Sequence, residues 1–205
     1  MLLTSCTSKN VLDPTTSVDR KNSVDIEQKL AKLEKLAAQK IALPMSPERM
    51  RQYEKQGLCI ILAEGDPYLY VDYAALRFSM RNNLPKDWDM YLQIMDDEVR
   101  RPVMEDAAIR SFFDLEKRIF VIENFLQQFP KFHKADELKK CLNLSVNAFT
   151  KGVDNTKPKD FIAEALQAYG RFFVNSPNSA YKKQVEDARN ILIPSETQSR
   201  KSRIQ

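Results

Sequence analysis

Apolar residues recur along this chain at helical spacing over most of its length. From Asp25 onward, Ile26, Leu30, Leu33 and Ala37 are separated by steps of four and three, while Glu27, Lys29, Lys32, Glu34 and Lys35 fall outside the stripe. This predicts an amphipathic helix. Its two heptads are too few for a sustained coiled coil, so the stripe reads as a core face rather than a partner contact. Pro44 and Pro47 interrupt it, and Ser46-Pro47-Glu48 has the form of a cap and first turn of a short helix ending near Gly57. The period then changes. Leu58-Cys59-Ile60-Ile61-Leu62 and Tyr68-Leu69-Tyr70-Val71 are β-prone runs around Glu64-Gly65-Asp66-Pro67, predicting a small hairpin, with Asp66-Pro67 as a helix cap the alternative.

Beyond Asp72 the helical period returns. Trp88, Tyr91, Leu92, Met95 and Val99 share one face, and Pro102 reads as the opening of the longest element, running to about Phe129. That element carries Ile109, Phe112, Leu115, Ile119, Ile122, Phe125, Leu126 and Phe129, a stripe wide enough to pack on more than one side. Two later segments look alike. In Phe125 to Leu138 and in Phe172 to Val185, a helix with aromatics shortly before a proline stops at that proline, Pro130 or Pro177, and a new amphipathic helix follows. A proline cannot continue the first helix but fits the turn between two antiparallel ones, so the expected architecture is mainly α, built of stacked antiparallel helical hairpins.

The residues Ala165, Tyr169, Phe172, Phe173, Pro177, Ser179 and Tyr181, spaced as they are here, resemble the signature of periplasmic tetratricopeptide-repeat lipoproteins, a family that includes lipoproteins of the outer-membrane β-barrel assembly machinery and Tol-Pal-associated coordinators. The resemblance implies that the alanine and aromatics pack one helix of a hairpin on the other, that Ser179 caps the next helix and that Tyr181 packs back across the turn. Around Pro130 the match is partial: Ile122, Phe125, Leu126, Phe129 and Pro130 fit, but Arg118 stands where the alanine belongs and Phe132 where the serine belongs. The two prolines are 47 residues apart, against the usual 34 of this repeat. Two units are fewer than such arrays normally need, so the helices before Pro102 are expected to complete the stack.

A second resemblance concerns the address. Leu3-Thr4-Ser5-Cys6 is similar to the lipidation site of bacterial lipoproteins, and the polar segment after it has no apolar periodicity, as a tether would. This implies acylation of Cys6 and attachment to the periplasmic face of the outer membrane, since Thr7 and Ser8 follow where an aspartate would alter sorting. Only five residues precede Cys6, fewer than a charged and an apolar signal region require, so the reading expects further sequence upstream. The alternative is an intracellular, cytoplasmic chain in which Cys6 is incidental. The expected organisation is a truncated signal and tether at 1–22, an N-terminal helical region at 23–101, repeats at 102–193 and a disordered basic tail at 194–205.

Composition removes several chemistries. Four scattered glycines cannot build a phosphate-cradling loop, and one histidine with three distant cysteines cannot make the common zinc motifs. The net charge of +4 spreads as +2, −3, +3 and +2 over residues 1–45, 46–110, 111–193 and 194–205, without the basic face that nucleic-acid binding needs. Asp96, Asp97 and Glu98 invite a metal or acid/base reading, but Asp96 faces Arg100 and Asp97 faces Arg101 at i+4, the spacing of surface ion pairs. His133 and Cys141 are about 12 Å apart along a helix axis, too far to act together. Cys59 and Cys141 read as core thiols, with a disulfide between them the alternative in an exported chain. No catalytic set, cofactor or metal site is expected. The resulting expectation is a non-enzymatic adaptor that binds protein or peptide partners, meets the membrane only through Cys6, and does not bind nucleic acid; an enzyme acting on cell-wall or peptide substrates is the remaining alternative.

Overall fold

The computed structural model describes residues 14–39, 45–63, 66–105 and 108–202. Residues 1–92 and 93–205 form two compact units, divided within a helix rather than at 101/102 as the sequence suggested.

The first unit is organised on a β-hairpin. Helix α1 (Pro14–Ala37) buries Ile26 and Leu30 completely, as its stripe predicts. It begins at Pro14, so residues 14–22 are helical and not the expected tether: proline suits a first helical position, whereas the polar residues after it carry no periodicity to announce a helix. In α2 (Pro47–Lys55), Ser46 Oγ accepts from the Arg49 N–H at 3.3 Å, and the helix gives way at Gly57, whose φ of +89° favours glycine. Strands β1 (Leu58–Ala63) and β2 (Asp66–Val71) pair antiparallel with Leu58 opposite Val71 and Ile60 opposite Leu69. Leu58, Leu69 and Val71 are buried, and β2 packs on α1. Asp72 caps α3 (Tyr73–Met80) by accepting from the Ala75 N–H at 2.9 Å, and α4 (Lys86–Arg100) begins by burying Trp88 edge-on against Tyr91. A β-hairpin with its helices, rather than a third helical hairpin, therefore occupies this unit.

The second unit takes the C-terminal half of α4. Pro102 does not open a helix there; β3 (Met104–Glu105) pairs antiparallel with β4 (Ala108–Ile109), and Ile109 belongs to this hairpin. The helix starts at Ser111, whose Oγ accepts from the Phe113 N–H at 3.1 Å. From there α5 (Phe112–Gln128) and α6 (Ala135–Lys151) form one hairpin, and α7 (Ile162–Asn175) and α8 (Lys182–Ser202) a second, after a 3-10 turn at Pro158–Asp160. Helix α8 continues through Pro194 to Ser202, replacing the expected disordered tail from 194.

The 47-residue repeat is reproduced in the backbone. Phe129 and Ser176 end their helices at φ,ψ of −129°,59° and −126°,56°, and their N–H groups each donate at 2.8 Å, to the Phe125 and Phe172 carbonyls. Phe132 and Ser179 then donate to the carbonyls of Phe129 and Ser176 at 3.0 and 3.1 Å. The hairpins stack with like beside like. Along α5, Phe112, Glu116 and Glu123 meet Glu164, Asn175 and Ser179 in the same order, so α5 and α7 run parallel. Asn143 and Thr150 of α6 meet Tyr181, just before α8, and Gln184 of α8 in the same sense. Phe149 sits at the centre, 4.9 Å from Tyr169 edge-on and 6.0 Å from Phe172, each such pair contributing about 0.5–1.5 kcal/mol beyond burial. Gly152 ends α6 at φ +78°, where a Cβ would stand 2.3 Å from the Thr156 carbonyl oxygen.

Candidate functional site

The residues singled out from the repeat divide into packing and turn roles. Ile122, Phe125, Ala165, Tyr169 and Phe172 are fully buried; Leu126, Phe129 and Phe173 are half-buried; Pro130 and Pro177 lie exposed in the turns. Tyr169 donates from its hydroxyl to the Phe149 carbonyl at 2.9 Å, and burial pushes its phenol well above the ordinary tyrosine range. Phe132, at the position that Ser179 holds in the second turn, packs edge-on to Phe125 at 5.2 Å, filling with a ring what Ser179 fills with hydrogen bonds. Ser179 accepts from the Tyr181 N–H at 3.1 Å, one residue short of α8, and the Tyr181 hydroxyl donates to Asn143 Oδ1 at 2.7 Å. Cys6 lies outside the described residues.

Three glutamates that the sequence reading passed over hold the stack together. Glu116, 1% exposed, accepts from Asn175 Nδ2 at 2.8 Å, and Arg171 stands 3.3 Å from its other oxygen at an angle too poor for a hydrogen bond. Glu123, also buried, accepts from Ser179 Oγ at 2.8 Å and the Ala180 N–H at 3.2 Å. Glu164 accepts from Ser111 Oγ and from the Phe112 N–H at 2.8 Å, so a carboxylate of α7 helps satisfy the first turn of α5. A signal was present: Phe112, Glu116, Ile119 and Glu123 fall at i, i+4, i+7 and i+11, placing two charges on the apolar stripe.

Within the second unit, the C-terminal half of α4, the segment before β3 and one face of α5 enclose a cleft of about 260 Å³. Its apolar lining is Ile94, Pro102, Val103, Val121 and Ile122. Its charged lining is Asp97 and Glu98 from α4, Arg101 just after it, Arg110 before α5, and Asp114, Lys117 and Arg118 from α5. The acidic triplet is dispersed as the spacing predicts. Asp96 pairs with Arg100 at 2.8 Å, Asp97 pairs with Arg101, and Glu98 takes a different direction to Arg118. No His, Cys, Asp or Glu grouping among the described residues could hold a metal ion.

Arg118, standing where the repeat signature has alanine, is largely buried; desolvation lowers its basicity, and its Nε–H has no acceptor. It lies near Cys141, whose thiol is pushed up by burial, only partly offset by that guanidinium. A raised thiol is the reverse of an activated nucleophile. His133 packs its ring against Phe132 at 4.7 Å, and no disulfide joins Cys59 to Cys141. No described helix is long and apolar enough to cross a membrane. Comparison with protein-family models, with characterised proteins and with solved structures finds no match to this chain.

Proposed function

We propose that this chain is a non-enzymatic adaptor or scaffold of the bacterial cell envelope, anchored by lipid on Cys6 at the periplasmic face of the outer membrane and binding a protein or peptide partner through its helical-repeat unit. The observation that carries the reading is the pair of stacked hairpins whose turns share cap dihedrals and backbone hydrogen bonds over a 47-residue period. Parallel like helices in register present side chains as one continuous surface, which is how helical repeats engage extended partners. The resemblance of Ala165 to Tyr181 to periplasmic tetratricopeptide-repeat lipoproteins and of Leu3 to Cys6 to a lipidation site supports the address.

The test combines fractionation with chemical crosslinking in the native membrane, using the chain expressed from its own locus. The expected result is a membrane-bound chain released by Cys6→Ser, crosslinked to a defined partner whose yield falls when the α5–α7 stack is disrupted by Phe172→Ala. Soluble fractionation unaffected by Cys6→Ser would overturn the anchor. Crosslinks insensitive to the stack would overturn the repeat surface as the binding element.

A further inference from the structure

We infer that the open face of α7 pairs with the same face of a second copy of this chain, the two helices lying antiparallel about a two-fold axis between Gln167 and Gly170. This interface is independent of what the repeat unit binds and of where the chain is anchored.

The repeat itself marks the face. Helix α7 and the turn after it cover one side of α5, where Asn175 and Ser179 bond to Glu116 and Glu123. One 47-residue period later, the corresponding side of α7 is open, and Ala163 and Gly170 stand in place of the two glutamates. With Gln167 and Val174 they form an exposed stripe at i, i+4, i+7 and i+11 that carries no charge over its whole length, in a chain that is 29% charged. Val174 is 78% exposed. The last unit of a helical stack ordinarily turns a polar face to solvent, and here Gln167 alone supplies one. Gly170 departs furthest from what a solvent-facing helix needs. Glycine weakens a helix interior relative to alanine, and no other part of the described chain comes within 4 Å of where its Cβ would stand. A second helix approaching closely would use that space.

The stripe is complementary to itself when one copy is reversed. Ala163 then faces the partner's Val174, and Gly170 faces the partner's Gln167, so each larger side chain meets a small one. The charges obey the same order. Glu164 and Arg171 border the stripe on the side of α5, through their contacts with Phe112 and Glu116, and the Arg171 side chain remains 53% exposed. Antiparallel pairing sets Glu164 beside the partner's Arg171, whereas a parallel pair would set like charge against like. On the opposite border Phe173, under Arg189 of α8, and Leu166 are half-buried, and reversal brings Leu166 to the partner's Phe173. The helix dipoles also run in opposite directions.

The experiment is sedimentation equilibrium on the full chain in solution. The mass is expected to rise from 23.8 kDa towards twice that value, with Kd below about 100 μM. Val174→Glu, at an exposed position, weakens the dimer at least about tenfold by placing a carboxylate in the contact. Gly170→Leu fills the space that the partner's Gln167 enters and weakens it by a similar factor, while the thermal midpoint of the dilute monomer does not fall, because leucine is the better helix former. Orientation is read by oxidising a mixture of Ala163→Cys and Val174→Cys chains and mapping the joined peptides by mass spectrometry. A link between positions 163 and 174 is expected and one between two copies of position 174 is not, since antiparallel pairing holds those about 16 Å apart. A chain that stays monomeric to about 200 μM, a dimer indifferent to Val174→Glu and Gly170→Leu, or a link between two copies of position 174 overturns the inference.

Discussion

Glu123 offers the sharpest test of how the two hairpins are joined, because one buried oxygen accepts from both Ser179 Oγ and the Ala180 N–H, 56 and 57 residues away. Glu123→Ala removes both bonds at once. Hydrogen bonds to a charged group contribute about 1.5–3 kcal/mol each, but the substitution also relieves the cost of keeping a carboxylate out of water, several kcal/mol before pairing. The net expectation is a loss of about 2–4 kcal/mol. Ser179→Ala removes one of the two bonds together with the acceptor for the Tyr181 N–H, and should cost about 1–2 kcal/mol. The decisive quantity is the coupling: with both residues replaced, the shared bond cannot be lost twice, so the double variant should be more stable than the sum predicts by about 1–2 kcal/mol. Urea unfolding of the full chain followed by far-ultraviolet circular dichroism reads this as midpoint shifts at constant slope. Effects that add to within about 0.5 kcal/mol would refute the claim that Glu123 bridges α5 to the second turn.

Other consequences follow from single positions. Gly170 has open space around its missing Cβ within α7, so Gly170→Ala should stabilise by about 0.5–1 kcal/mol, whereas Gly152→Ala collides with the Thr156 carbonyl and should destabilise strongly; thermal unfolding compares the two. Alkylation of Cys141 by iodoacetamide should accelerate only at a pH above that of a free cysteine, and Arg118→Met, removing a charge that favours the thiolate, should move that profile higher still. Tyr169 has a folded-state value above its unfolded one, so its contribution is intact below pH about 10 and is lost as pH rises further; Tyr169→Phe should flatten the alkaline limb of the stability profile.

Local signals proved legible where one element's sequence was sufficient to define it. The stripe of Ile26 and Leu30, the Ser46 cap, the hairpin around residues 58–71 and the proline turns at 130 and 177 each depend on a few adjacent residues. Failures came where the determinant was distant or faint. Ile109 has the right spacing to extend the α5 stripe, yet its N–H is bound by Thr156 Oγ1 at 3.1 Å, 47 residues away, and Ser111 caps the helix after it. Polar residues 14–22 offered no period from which to read a helix. Glu116 and Glu123 stand on the apolar stripe of α5, but what they and Glu164 bind lies more than 50 residues off and has no local signal. The cleft was invisible for the same reason: Arg118 reads as a flaw in a repeat signature until α4 supplies Glu98.

The most direct test of a repeat-borne binding surface places a photoreactive benzoyl-phenylalanine at Lys117, an exposed position of α5, and separately at Lys55, at the end of α2, in the chain as it stands in its native membrane. The account predicts one discrete adduct from position 117, diminished by Phe172→Ala, and none matching it from position 55. The same adducts from both positions, or none from position 117, would contradict it.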